Sequence, residues 1–383
     1  MTTSELKVPD LQRLSKVQIF CLRSSPYEDH DEHALVEAMK EVTAWHIEKN
    51  QFYRSLCQLE RFDLDRIQTL TDLSLIPSVM AHFFKEYEEL SVKPEQVALH
   101  LTSSGTTGQK SQVFFDEWSI KAPQRMLDLI FKYYGWVTPD QPTNYILYTY
   151  ETESDSKLGT AYTDNYLCQY APVKNVEIAL KMQGDGSHSF DFSGVLRALK
   201  SYEQEGLPVR LFGFPAFLNE TVERMDKLGV HLKLHPDSLV FLGGGWKGKA
   251  KEAISKEALY QKVTKVLGIP NERLRDGFGS VEHCIPYVEC AQHEFHQPVW
   301  SHVLIRDVQT LKPIESGVGF LSFVSPYITS MPAHAVTMGD LASVHHNCPC
   351  GNPRPFFRLI GRAGTTQNKS CAIAAAEILG GKS

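Results

Sequence analysis

The sequence predicts an α/β protein, and three observations carry that prediction. Short runs of strand-forming residues recur at 144–150, 208–213 and 238–242. Stretches with apolar residues at helical spacing lie between them. The 383-residue chain is 42% hydrophobic and 10% aromatic, enough for a large core. Strands that alternate with helices imply a sheet flanked by helices.

The elements follow in order. Leu35, Met39, Val42 and His46 share one helical face, with Trp45 beside them. Asp29, His30, Asp31, Glu32 and His33 precede that helix. The run resembles a metal cluster at a glance, but carboxylates favour helix N-termini, so it reads as a solvated cap. Leu99 and Leu101 mark a strand end. Residues 144–150, rich in Tyr and Ile, and 208–213 are further strands. Leu218, Val222, Met225 and Leu228 form an apolar stripe, and Gly229 is a natural stop. Residues 238–242 form a buried-type strand that runs into Gly243, Gly244 and Gly245. Residues 302–306 and 317–324 read as a β pair joined by a turn near Pro313. The main domain is expected over 1–360. A short tail, 361–383, carries Cys371 and an Ala-rich helical stretch after it.

Charge and composition exclude several classes. The formal net charge is −6, and no dense Lys/Arg tract is present, so a nucleic-acid partner is not expected. Lys247, Lys249 and Lys251 read as a solvated turn. The first ten residues are polar and lack the apolar core of a signal peptide. No run of about 18 apolar residues suggests a membrane span. Eight cysteines without a secretion signal suggest reduced thiols and a cytoplasmic location.

The sharpest local signal follows Thr102: Ser103, Ser104, Gly105, Thr106, Thr107, Gly108, Gln109 and Lys110. Glycines let the backbone approach an anion, and exposed N–H groups then point at it. Hydroxyls add donors and Lys110 adds a point charge, a set that suits a triphosphate. A Walker A loop is excluded, because Gln109 stands where a Gly must precede the Lys and the spacing is too short. The plain alternative is a Ser/Thr/Gly surface turn. A Ser hydrolase is disfavoured, since no Gly-x-Ser-x-Gly elbow is present.

The loop resembles the phosphate-binding loop of the adenylate-forming superfamily, which includes acyl-CoA synthetases, firefly luciferase and non-ribosomal adenylation domains. Three more of its motifs follow in order. The glycine turn at 241–246 resembles the one lining the adenine pocket. Asp276, Gly277, Phe278, Gly279, Ser280, Val281 and Glu282 resemble the aromatic-Gly-x-Thr-Glu motif. Thr337, Met338, Gly339 and Asp340 resemble the Thr-Gly-Asp motif, with Gly361 and Arg362 beyond it. The resemblance implies ATP and Mg²⁺ as cofactors and a large domain with mixed sheets and flanking helices. It places Phe278 near adenine and Glu282 on Mg²⁺. It places Asp340 on the ribose hydroxyls and Arg362 beside the nucleotide. Gly213, Phe214, Pro215, Ala216 and Phe217 would abut the acyl pocket, with an ordinary strand–helix turn as the plain alternative.

Within that superfamily the chain resembles the acyl-protein synthetase (luciferin-component ligase) family of bacterial bioluminescence. The matching stretches are 101–112, 243–247, 296–300, 310–313 and 368–377. That family activates a fatty acid as acyl-AMP, moves the acyl group to its own cysteine and hands it to an acyl reductase. Cys371 matches that cysteine, and Lys369 beside it would favour the thiolate. The chain ends too soon for the superfamily's small C-terminal domain with its catalytic lysine, so Lys110 or Arg362 is expected to supply the missing cation. A ligase that uses CoA or a carrier protein as acceptor, and a non-catalytic scaffold, are the rival readings.

Cys290, His296, Cys348 and Cys350 make a three-Cys, one-His complement that suits a closed structural zinc site. Phenylacetate-CoA ligases, another branch, show a similar pattern before the Gly-Arg motif. His293, Cys284, His345 and His346 are alternative ligands, and free reduced thiols at a turn are the plain alternative.

Overall fold

The computed structural model describes residues 7–28, 30–102, 111–151, 166–246 and 249–363. The chain opens with helices α1 (Ser15–Cys21), α2 (Glu32–Lys49) and α3 (Gln51–Leu59). Asp31 caps α2 by accepting from the Ala34 N–H at 2.9 Å, so the acid-rich run caps a helix as its composition implies. Asn50 caps α3 in the same way, accepting from Tyr53 N–H at 2.7 Å. Short strands β1 (Val79–Met80), β2 (Leu99–Thr102) and β3 (Gln112–Phe115) follow, then α4 (Glu117–Tyr133).

Next come β4 (Thr143–Tyr150), β5 (Val173–Met182), β6 (His188–Phe190), α5 (Phe192–Glu205), β7 (Val209–Gly213), α6 (Pro215–Lys227), β8 (Leu239–Leu242), α7 (Lys256–Leu267), β9 (Leu274–Ser280) and β10 (His283–Val288). The strands order as β10-β9-β8-β7-β4-β5-β6. The five central strands run parallel, and β10 and β6 pair antiparallel at the two edges. Parallel strands covered on both faces read as continuous apolar runs, which is why 144–150 lacks alternation. Helix α6 ends as its sequence predicts, with Gly229 left-handed at φ 67°.

The remaining strands are β11 (Phe295–His296), β12 (His302–Arg306), β13 (Pro313–Ile314), β14 (Gly319–Val324), β15 (Ala335–His345) and β16 (Phe356–Arg362). They order as β11-β16-β15-β14-β12-β13, and β1 adds parallel to β15. Strands β12 and β14 pair as expected, but Pro313 lies in β13 rather than in the turn. Asp307 makes that turn by accepting from the Gln309 and Thr310 N–H groups at 3.1 and 2.8 Å. The boundary expected at 360 falls inside β16, which keeps Gly361 and Arg362 in the sheet.

Two cores divide the hydrophobic residues. Val195, Leu199, Val222 and Val263 of α5, α6 and α7 pack against Ile146, Leu211 and Val240 of the parallel sheet. The opposite side joins α4, the N-terminal helices and the antiparallel sheet through residues such as Phe131, Phe212, Tyr287 and Phe323. Among the described residues no helix is long and apolar enough to cross a membrane.

Candidate active site

The carboxyl ends of β7, β8 and β9 converge on one edge of the parallel sheet, the usual ligand edge of such sheets. Gly213 closes β7 at φ 113°, and a Cβ there would lie 2.5 Å from the Tyr148 carbonyl oxygen, so only glycine fits. Gly243 N–H donates to the Gly213 carbonyl at 3.1 Å and ties the two strand ends together. Gly244 and Gly245 follow in the left-handed region at φ 73° and 69°. On β9 the Phe241 ring covers Gly277, where a Cβ would meet Cζ at 2.6 Å.

A cavity of about 280 Å³ opens beside these glycines. Its walls are mainly apolar. Ile120, Pro123 and Leu127 of α4 and Ile285, Pro286 and Val288 of β10 line it. Leu101, Phe241, Gly243, Gly244 and Ser280 border it as well. Of residues 213–217, Gly213 and Phe214 also line it.

The carboxylates gather near Ser280. Glu282, in the β9–β10 turn, is only 6% exposed. Among the described residues no donor hydrogen-bonds to its carboxylate. Asp340, on β15, sits close enough to feel that charge. Burial raises its pKa, the Arg362 guanidinium opposes the shift, and the Glu282 carboxylate adds to it. Arg362 stands directly opposite Asp340 in the β15–β16 register. Ser280 Oγ accepts from the His283 N–H at 3.2 Å and reaches Met338 Sδ at 4.0 Å, joining the β9 motif to the β15 motif.

Apart from Asp276, the expected site residues divide into three groups. Gly243, Gly244, Gly245, Ser280, Glu282, Asp340 and Arg362 lie as described above. Phe278 and Gly279 line the cavity, and the Phe278 ring also packs among Phe323 and Phe357, at 5.9 and 5.7 Å between centroids. Residues 103–110, including Lys110, and Cys371 lie outside the described residues. The strand that enters 103–110 does reach the site: Leu101 lines the cavity, and Thr102 pairs with Gln112 across the β2–β3 hairpin.

Sequence reasoning missed the support behind Asp276. Glu289 is fully buried, and its Oε2 accepts from the Asp276 N–H at 2.8 Å and the Tyr260 hydroxyl at 3.0 Å. Lys256, at the start of α7, pairs with the same carboxylate. Burial and the Glu289 charge raise the Asp276 carboxyl to about 7 against the pull of Lys256. The available signal was a charged residue between apolar ones, Glu289 between Val288 at the end of β10 and Cys290.

Cys290, His296, Cys348 and Cys350 do come together, with all four ligand atoms within 4.8 Å of one another. Cys290 Sγ lies 3.8 Å from Cys348 Sγ, and Cys350 Sγ lies 3.2 Å from His296 Nε2. Zinc–sulfur bonds of about 2.3 Å at tetrahedral angles give a sulfur–sulfur edge of roughly 3.8 Å. His296 Nδ1 donates to the Arg354 carbonyl at 2.8 Å, which leaves Nε2 as a bare donor atom aimed at the cluster. Backbone N–H groups of Gln292 and Asn352 reach Cys290 Sγ and Cys350 Sγ at 3.3 and 3.4 Å. Burial, reinforced by the neighbouring thiols, pushes Cys290 up to about 12, so a cation is needed to hold thiolates here. Three of the four alternative ligands are engaged elsewhere. His293 Nε2 meets Asn271 at 2.8 Å, His345 Nε2 meets Ser343 at 2.8 Å, and Cys284 lines the cavity.

Solved structures of similar shape define the class. A 2-hydroxyisobutyryl-CoA ligase in its postadenylation state, holding 2-HIB-AMP, superposes with a TM-score of 0.65 at 13% identity. The match covers 94% of this chain and 73% of that one. The open conformation of that ligase gives 0.62, over 87% and 75%. The fold is therefore that of the adenylate-forming ligases. The family model described as "Acyl-protein synthetase, LuxE" matches residues 4–380. The chain belongs to the LuxE acyl-protein synthetase family, whose members are ligases. A long-chain-fatty-acid–luciferin-component ligase of Aliivibrio fischeri is 23% identical over 347 residues, 89% of this chain and 87% of that protein. Its Vibrio harveyi counterpart is 24% identical over 339 residues, 88% and 85%.

Proposed function

We propose that the protein activates a fatty acid with ATP as an acyl-adenylate and then passes the acyl group to a thiol, its own Cys371. The observation that carries the reading is the meeting of Glu282, Asp340 and Arg362 beside an apolar cavity edged by the glycine turn. Polar groups suit the nucleotide, and apolar walls suit the hydrocarbon.

In the first step a carboxylate oxygen of the acid attacks the α-phosphorus of ATP. The bond from that phosphorus to the bridging oxygen breaks, and pyrophosphate leaves. Residues 103–110 cradle the departing phosphates through backbone N–H groups and hydroxyls. Asp340 accepts hydrogen bonds from the ribose hydroxyls, and Asp276 lies on the adenine side. Lys110 and Arg362 offset the charge that builds where carboxylate and phosphate meet. Glu282 offers the hard oxygen that Mg²⁺ prefers, and the ion would neutralise phosphate charge.

In the second step the Cys371 thiolate attacks the acyl carbonyl carbon and AMP leaves, which forms a thioester. Cys371 follows Ala363 by about eight residues, a reach of up to roughly 28 Å at ~3.5 Å per residue. Arg362 stands beside Asp340, so that reach suffices to bring the thiol to the adenylate. An acyl reductase, the acceptor that the family resemblance implies, is the proposed next recipient of the acyl group. Cys290, His296, Cys348 and Cys350 would hold a structural Zn²⁺ between the β10–β11 segment and the β15–β16 hairpin, and no chemical step passes through it.

Carboxylate-dependent exchange of labelled pyrophosphate into ATP tests the reading. Exchange stimulated by fatty acids is expected. Its absence across aliphatic and aryl acids would favour a non-catalytic scaffold.

A further inference from the structure

The cavity has two ends. Arg210, near the start of β7, donates to the Trp136 carbonyl at 2.5 Å and to Thr138 Oγ1 at 3.0 Å. The chain leaving α4 is thus anchored at the amino edge of the parallel sheet. Helix α4 consequently runs antiparallel to the strands, with its first turns at the carboxyl edge where Gly243, Gly244 and Ser280 lie. Leu127, late in α4, stands at the end of the cavity remote from the nucleotide side.

That remote end is a built wall. Tyr166 and Leu167 line it beside Leu127. Asp128, the next residue of α4, accepts hydrogen bonds at Oδ1 from the hydroxyls of Tyr166 at 2.9 Å and Tyr170 at 2.7 Å. Tyr170 is in turn stacked on Phe131 at 4.6 Å between centroids, which locks the clamp to the helix. A tyrosine held by a carboxylate is a stiffer barrier than an aliphatic side chain, because moving it breaks a charge-assisted hydrogen bond.

The length between the ends follows from the helix. Ser119 and Leu127 both line the cavity, about 12 Å apart at 1.5 Å per residue. An extended hydrocarbon advances roughly 1.25 Å per carbon, given ~1.52 Å bonds at ~111°. The span therefore takes about ten carbons. The volume of about 280 Å³ also lies at the small end of ligand sites.

We infer that Tyr166, held by Asp128, is the end wall of the acyl cavity and limits the substrate to medium-chain acids of about eight to twelve carbons. The inference rests on the acid-activating reading above. Leu127 and Tyr166 determine specificity by shape, and Asp128 is a positioning residue that acts through Tyr166.

Pyrophosphate exchange with the saturated acids from hexanoate to stearate tests it on the full chain. The native protein should show its highest kcat/KM near decanoate, with palmitate at least about tenfold lower. Tyr166→Ala should move the optimum to longer acids and lower the KM for palmitate by about tenfold, with the KM for ATP unchanged. Asp128→Asn should broaden the profile in the same direction, which a merely structural defect would not do. If Tyr166→Ala fails to fold, Leu127→Ala on the same wall must give the shift. A folded, active wall variant with the native chain-length profile, or a native preference for palmitate, would overturn the inference. A native protein that exchanges with no acid would overturn the activation reading as well, so the two failures are told apart.

Discussion

Asp340 and Arg362 face each other across the β15–β16 ladder, with Arg362 Nε 4.0 Å from Asp340 Oδ1. The pair joins the side of the site proposed to take the ribose to the last described strand, after which the chain continues toward Cys371. Asp340→Ala removes an acceptor that is charged when it meets the ribose. Such a bond contributes about 1.5–3 kcal/mol, so the KM for ATP should rise roughly 10- to 100-fold. The KM for the acid should change little. Steady-state exchange kinetics with each substrate varied separately check this.

Metal content follows from the Cys/His cluster. The purified protein should carry about one zinc per chain, and Cys348→Ala should lose it. Removing the ion leaves buried thiols in close contact, and the melting temperature should fall by roughly 5–10 °C. Elemental analysis and calorimetry measure both. Less than about half an equivalent of zinc would contradict the assignment.

Acid should destabilise the fold through buried histidines. Burial lowers His46 and His283 to about 3 and His334 well below its usual value. All three are neutral in the folded state, whereas unfolded histidines take up protons below about 6.5. Their contribution is complete above that pH and shrinks as pH falls through the window down to about 3. Each histidine contributes a slope of up to about 1.4 kcal/mol per pH unit. Urea unfolding between pH 8 and pH 5 should show stability dropping below about 6.5. A flat profile would count against neutral buried rings.

The thiol step predicts a separation of activities. Cys371→Ser should abolish hydroxylamine-labile labelling of the protein by radioactive acid and leave pyrophosphate exchange intact. Labelling that survives the substitution would remove Cys371 from the mechanism and point to CoA or a carrier thiol as the acceptor.

The glycine and carboxylate motifs were legible because their chemistry is local. Gly244 and Gly245 take left-handed conformations that glycine favours, and Glu282 follows the strand that presents it. The Cys/His quartet was half legible. Cys348 and Cys350 announce a turn by spacing, but Cys290 meets Cys348 across 58 residues only because β11 pairs with β16. The direction of the Phe278 ring was hidden, since strand alternation gives two faces and not which one meets the aromatic cluster. Of the cavity, little beyond Gly213 and Phe214 was legible. Its walls come from β2, α4, β8 and β10, and only the packing of α4 against β10 brings Leu127 and Val288 to one cavity. Pro313 was misplaced by one element, because a proline can start an edge strand as readily as it makes a turn.

The most direct measurement follows an oxygen atom. With fatty acid labelled by ¹⁸O in its carboxylate, attack on the α-phosphorus followed by thiol capture must leave one ¹⁸O in the AMP released. Mass spectrometry of that AMP should find the label. Label in inorganic phosphate, or AMP without it, would mean that no acyl-adenylate forms.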